Sequence, residues 1–104
     1  MDAQPYVRVA DIEIDPGQSE AFQAALRDEI EASVRIERGV LALYAVSEKG
    51  NPARIVVFEI YADAAAYAAH LEAPHFKAYK AATANMVLSL KLTETVPIAL
   101  GAKA

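Results

Sequence analysis

Arg54-Ile55-Val56-Val57-Phe58-Glu59-Ile60-Tyr61 is the stretch on which the fold turns. Its β-branched and aromatic residues read as a strand. Alternation then puts Val56, Phe58 and Ile60 on one face and Ile55, Val57, Glu59 and Tyr61 on the other. Both faces are mainly apolar, whereas a strand covered on one side only should alternate apolar with polar, so this one calls for cover on both sides. The run Val40 to Glu48 repeats the pattern, with Leu41, Leu43 and Ala45 opposed by Val40, Ala42, Tyr44 and Val46. Between the two runs, Lys49-Gly50-Asn51-Pro52 supplies the Gly, Asn and Pro of a hairpin connection.

Working outward, Tyr6 to Ile14 reads as an earlier strand closed by the turn signature Asp15-Pro16-Gly17. Ser19 is the expected N-cap of a helix of about five turns, with Glu20 in its first turn. Phe22, Ala25, Leu26, Ile30 and Val34 form its apolar stripe; Arg27, Glu31 and Arg35 lie on its wet side, and Gly39 ends it. Downstream, Asp63 caps an Ala-rich helix carrying Tyr67, His70 and Leu71 on one stripe. Pro74 interrupts that helix and opens another, on which Phe76, Tyr79, Lys80 and Thr83 share a face. Val87 to Val96 makes a last strand before a small-residue tail, Gly101-Ala102-Lys103-Ala104.

The order is βαββαβ, which predicts a ferredoxin-like α+β fold in one domain over residues 1–104: an antiparallel sheet with both helical segments on one side. Helices on one side leave the second apolar face bare, and each large side chain there forgoes roughly 1.5–3 kcal/mol of burial. The expectation is a homodimer packed sheet to sheet, with a cavity between sheet and helices in each protomer.

The chain has 104 residues, 14 acidic and 10 basic, for a net charge of −4. That balance argues against nucleic acid as a partner, since no basic patch is available to neutralise phosphates. No cysteine is present, which excludes disulfides, thiol nucleophiles and thiolate metal sites. The start, Met1-Asp2-Ala3-Gln4-Pro5, has no basic segment followed by an apolar one, and no apolar run approaches the roughly 18 residues of a membrane span. A cytoplasmic protein without a membrane partner is the expectation.

Few residues are suited to acid–base chemistry. His70 and His75 are the two histidines. His70 is open to two readings, a packed imidazole bonded to a backbone carbonyl or a general acid/base on the cavity wall. His75, in the first turn after Pro74, either seals the kink or contacts substrate. Glu59 is a carboxylate on an otherwise apolar strand face, so it needs a partner. It either pairs with Arg8 or Lys91 across the sheet, or with the other subunit, or lines a pocket with Tyr61 and Tyr44. Being five residues apart with Pro74 between, the histidines do not stack on one helix face as two ligands would, so no metal is expected. Four scattered glycines form no phosphate loop.

The run Val57-Phe58-Glu59-Ile60-Tyr61-Ala62-Asp63, followed by Ala65-Ala66-Tyr67-Ala68-Ala69-His70-Leu71-Glu72-Ala73-Pro74-His75-Phe76-Lys77-Ala78-Tyr79, resembles the antibiotic biosynthesis monooxygenase family of dimeric α+β-barrel proteins. Ile14-Asp15-Pro16-Gly17 with Phe22, and Glu37-Arg38-Gly39-Val40-Leu41, match as well, so the resemblance covers nearly the whole chain. It implies a homodimer with two facing sheets. Family activities include cofactor-independent oxygenation of quinols and polyketide aromatics, haem degradation, and isomerisation of a phosphorylated sugar. This sequence has no tryptophan, which the haem-degrading branch carries, and offers only Asn51 and Asn85 where the polyketide oxygenases use a pocket Trp and Asn.

The resemblance is therefore greatest to small quinol-monooxygenase-like members, with matching positions Glu59, Tyr61, Tyr67, His70, His75 and Phe76. What it implies is oxidation of a small aromatic substrate by O₂ without a cofactor. His70 would be the proton acceptor or a hydrogen-bond partner of the substrate, and Glu59 would orient it or the substrate; Tyr44, Tyr61, Tyr67, His75 and Phe76 would contact the ring. Two other classes stay open. An isomerase of phosphorylated or hydroxylated ketones would need Arg8, Lys77 or Lys80 to point inward. A non-catalytic ligand-binding stress-response dimer would keep the cavity and consume no oxygen.

Overall fold

In the computed structural model, which describes residues 4–104, β1 (Tyr6–Ile14) runs into Asp15, whose carboxylate accepts the Gly17 N–H at 3.0 Å. The Met1-Asp2-Ala3 start lies outside the described residues. Pro16 opens a short 3₁₀ turn, Pro16–Gln18, from which α1 (Ser19–Ile36) continues. This turn carries the chain past the expected cap. Ser19 is the first helical residue rather than the N-cap, and its hydroxyl bonds back to the Pro16 carbonyl at 3.2 Å.

β2 (Val40–Glu48) and β3 (Asn51–Tyr61) form the hairpin, tighter than expected, because Asn51 already pairs with Glu48 and only Lys49 and Gly50 turn. Gly50 has φ +87°, a conformation that suits the residue without a Cβ. α2 (Ala64–Glu72) is capped by Asp63, whose carboxylate accepts the Ala66 N–H at 2.8 Å. α3 (Pro74–Thr83) starts at Pro74, and β4 (Val87–Thr95) closes the sheet. Ala73 stands between the two short helices in an extended conformation (φ −66°, ψ 139°), so they are separate segments meeting at a corner.

All pairings are antiparallel, in the order β2-β3-β1-β4 expected of a ferredoxin-like α+β fold. Under the helices, Ala10, Ile12, Ile14, Phe22, Leu26, Ala53, Ile55 and Val57 make one core cluster, and Val40, Leu43 and Tyr61 a second. The opposite face carries Ala42, Tyr44 and Val46 in register with Ile60, Phe58 and Val56. Tyr44 and Val46 are exposed there.

One expected facing is corrected. The register steps from Val40↔Tyr61 to Ala42↔Ile60, a bulge that places Val40 with Tyr61 and Leu43 under the helices and turns Leu41 outward. Val34, expected on the apolar stripe of α1, is exposed, and the buried positions are Phe22, Leu26, Glu29 and Ser33. No helix among the described residues is long and apolar enough to cross a membrane.

Candidate active site

The site begins with the corner at Ala73. Two residues on one continuous helix, five apart, would lie about 140° apart around its axis. Because α2 stops at Glu72 and α3 starts afresh at Pro74, His70 and His75 instead turn toward a common partner, Glu37, in the link between α1 and β2. Glu37 Oε2 lies 2.8 Å from His70 Nδ1 and 2.6 Å from His75 Nε2. The other ring nitrogen of His70, Nε2, lies 3.4 Å from Glu29 Oε1, which also accepts the Ser33 hydroxyl at 2.7 Å. His70 is thus held between two carboxylates, at 3% exposure.

The two carboxylates are pushed in opposite directions. Burial raises the Glu29 pKa above its ordinary value, with the Ser33 hydrogen bond and His70 only partly offsetting it. Burial also acts upward on Glu37, but its hydrogen bonds from His70 and His75 outweigh it and hold the carboxyl below the usual range. Glu37 is therefore the fixed anion that orients the imidazole, and Glu29 the partner more inclined to keep a proton. A pair of titratable groups set apart in this way marks acid and base roles.

A cavity of about 290 Å³ opens between sheet and helices beside this pair, near the lower end of the range for small-molecule sites. Glu29, Glu59, Tyr61, Tyr67, His70 and Phe76 all border it. His70 packs against Phe76 at 4.8 Å and Tyr61 at 5.3 Å between ring centres, and Tyr67 stacks on Tyr6 at 5.0 Å. Tyr61 is fully buried, and its hydroxyl donates to Glu59 Oε1 at 2.6 Å. Burial raises the Glu59 pKa, against the lowering effect of that hydrogen bond.

Of the residues expected in the pocket, Glu59, Tyr61, Tyr67, His70 and Phe76 are brought together. Tyr44 is not: it pairs in register with Phe58, on the far face of the sheet. His75 lies behind Glu37 and borders a separate surface cleft with Gly39 and Pro74. The carboxylate bonded to His70 is that of Glu37, while Glu59 accepts the Tyr61 hydroxyl on the cavity wall. Neither suggested cross-sheet pairing forms an ion pair among the described residues: Lys91 is in register with Asp11 on the other face, and Arg8, although opposite Glu59, turns to Tyr6 and Tyr67.

Glu29 and Glu37 were not singled out from the sequence. Glu29 carried a signal nonetheless, three residues after Leu26 and seven after Phe22, where a buried helix position falls. Glu37 carried none, since its role depends on where two other helices end.

A family profile described as antibiotic biosynthesis monooxygenase matches residues 5–82. A Bacteroides thetaiotaomicron protein provisionally named an antibiotic biosynthesis monooxygenase has a similar crystal structure (TM-score 0.92). It is 48% identical, over 97% of this chain and 96% of that one. A provisionally named monooxygenase from Lactobacillus acidophilus is 28% identical with TM-score 0.84, over 89% of this chain and 45% of that longer one. A Nitrosomonas europaea protein at 24% identity and TM-score 0.86 shares the fold. No curated protein matches. The order of elements, the profile match over most of the length and the near-complete superposition on a 48% identical relative agree: the chain belongs to the antibiotic biosynthesis monooxygenase family.

Proposed function

We propose that the protein is a cofactor-independent monooxygenase that oxidises a small quinol-type aromatic with O₂, working as a sheet-to-sheet homodimer. The observation that carries this reading is the imidazole of His70 on the wall of an aromatic cavity, with Nδ1 anchored on the Glu37 carboxylate. With the Nδ1 proton held by Glu37, the basic lone pair is on Nε2, which faces the Glu29 carboxyl at 3.4 Å, so a phenolic proton from the ring reaches it through that carboxyl. The resulting phenolate is electron-rich enough to reduce O₂ itself. One oxygen atom enters the ring and the other leaves as water with two hydrogens from the substrate, so a hydroquinone ends as a hydroxyquinone. Tyr61, Tyr67 and Phe76 form the walls that keep the anion from bulk water.

Oxygen uptake with a panel of substituted hydroquinones tests the reading. His70→Ala is expected to lower kcat by about 10²–10⁴-fold, the usual worth of a positioned acid–base group. Unchanged turnover in that variant sinks the assignment, and no uptake with any quinol sinks the reaction.

A second reading draws support from Arg8. Its guanidinium lies on the helix side of the sheet, 4.6 Å from the Tyr67 ring centre, and its Nε is buried with no hydrogen-bond partner among the described residues. Lys80 borders the cavity, while Lys77 is turned away onto Glu72. Lys80 on the cavity border, with Arg8 against the Tyr67 ring, is the positive charge an isomerase of a phosphorylated ketone would draw on. Calorimetry with dihydroxyacetone phosphate decides it: binding lost in Arg8→Gln favours the isomerase, and no binding by the unaltered protein removes it.

A further inference from the structure

We propose that Glu37, His70 and His75 form a binding site for a divalent transition-metal ion of the zinc and ferrous class. Two imidazoles and one carboxylate are a donor set such ions favour. Their ligating atoms, Glu37 Oε2, His70 Nδ1 and His75 Nε2, all lie within 4.8 Å of one another. Around an ion with bonds near 2.1 Å, neighbouring donors sit about 3.0–3.4 Å apart. Glu37 Oε2, now 2.8 and 2.6 Å from the two nitrogens, needs to move out by a few tenths of an ångström, and the two imidazole nitrogens, within 4.8 Å of each other, need to close by up to about 1.4–1.8 Å. His75, on the first turn of α3 and partly exposed, is the ligand free to adjust.

The surroundings supply an independent argument. A metal-bound histidine ordinarily donates its other ring N–H to a carboxylate, which fixes the tautomer and raises its basicity toward the metal. His70 has that partner: Nε2 faces Glu29 Oε1 at 3.4 Å, and Ser33 holds the same carboxylate in place at 2.7 Å. On the other side a surface cleft bordered by Glu37, Gly39, Ala66, Pro74 and His75 gives an ion a route in and leaves room for water as a further ligand. The spacing argument against shared ligation assumed a common helix face, and the corner at Ala73 removes that premise.

This site goes beyond the oxygenase reading and does not rest on it. An ion on Nδ1 leaves the proton on Nε2, so His70 in the loaded protein is a donor to Glu29 and no longer a base; the two uses exclude each other.

Binding is measured without any substrate, on untagged, chelator-treated protein. Titration with Co²⁺ is expected to produce visible d–d bands of imidazole-ligated metal. Calorimetry with Zn²⁺ is expected to give one ion per chain, weakened about tenfold or more by His75→Gln and by Glu37→Gln, and about tenfold by Glu29→Gln. His75→Gln is chosen over a change at buried His70 because His75 is only partly buried, and Glu13→Gln, on an exposed strand position, is expected to bind as the unaltered protein does. Absence of Co²⁺ bands, or equal Zn²⁺ affinity in His75→Gln and the unaltered protein, overturns the proposal.

Discussion

Tyr61 is fully buried and its hydroxyl has one partner, the Glu59 carboxylate. Replacing it with Phe keeps the packing and leaves a largely buried carboxyl without its donor, a loss of about 1–3 kcal/mol. Urea denaturation of Tyr61→Phe measures it. Glu59 also sets a pH dependence. Its pKa in the folded protein is raised above the ordinary 4.5, so folding favours the protonated form. The stability this contributes is complete below pH 4.5 and is lost as pH rises through the folded-state value. Glu59→Gln, neutral throughout and still an acceptor for Tyr61, is expected to melt higher than the unaltered protein at pH 8, with the gap narrowing toward pH 4. A gap independent of pH contradicts the assignment.

Among the elements, α2 is the one whose position shapes the cavity. From Ala62 to Ala69 every residue except Asp63 and Tyr67 is alanine, six in all, and this slimness lets it lie close to the β2 entry. A Cβ built on Gly39 would meet the Ala66 Cβ at 2.5 Å, closer than carbon atoms approach without displacement. Gly39→Ala is accordingly expected to destabilise the protein by about 1–3 kcal/mol by overpacking, read as a lowered thermal midpoint. Asp63→Ala, which removes the cap of the same helix, is expected to cost about 1 kcal/mol. The local chemistry of these elements was legible in the sequence. Asp63, Pro74 and the β-branched runs act within a few residues of themselves, so their effects could be read in place. The bulge after Val40 and the 3₁₀ turn before Ser19 could not, because each answers to the strand or helix it must meet.

At the scale of the whole molecule, the sheet face away from the helices is the one the proposed dimer would bury. Tyr44 and Val46 are 59% and 64% exposed, beside Phe58 and Val56 in register, and Val96 and Ile98 beyond β4 are exposed as well. Burial of such a face against a second copy is the expected outcome of the proposed dimer. Sedimentation at micromolar concentration is expected to show a dimer, and Phe58→Glu a monomer; a monomeric unaltered protein contradicts this part of the proposal.

The alternation of β3, the caps and the order of elements determined the ferredoxin-like sheet and its two apolar faces, since periodicity and capping depend on neighbours in sequence. They also marked His70 and Glu59 as residues in want of partners. Which partners they have was decided by tertiary structure. Glu37 reaches His70 and His75 only because α1 ends where it does and two short helices meet at Ala73, while Glu29 arrives from the middle of α1, buried there beside Ser33. Hydrogen bonds between residues more than thirty positions apart have no local pattern to betray them, and in this protein those bonds make the site.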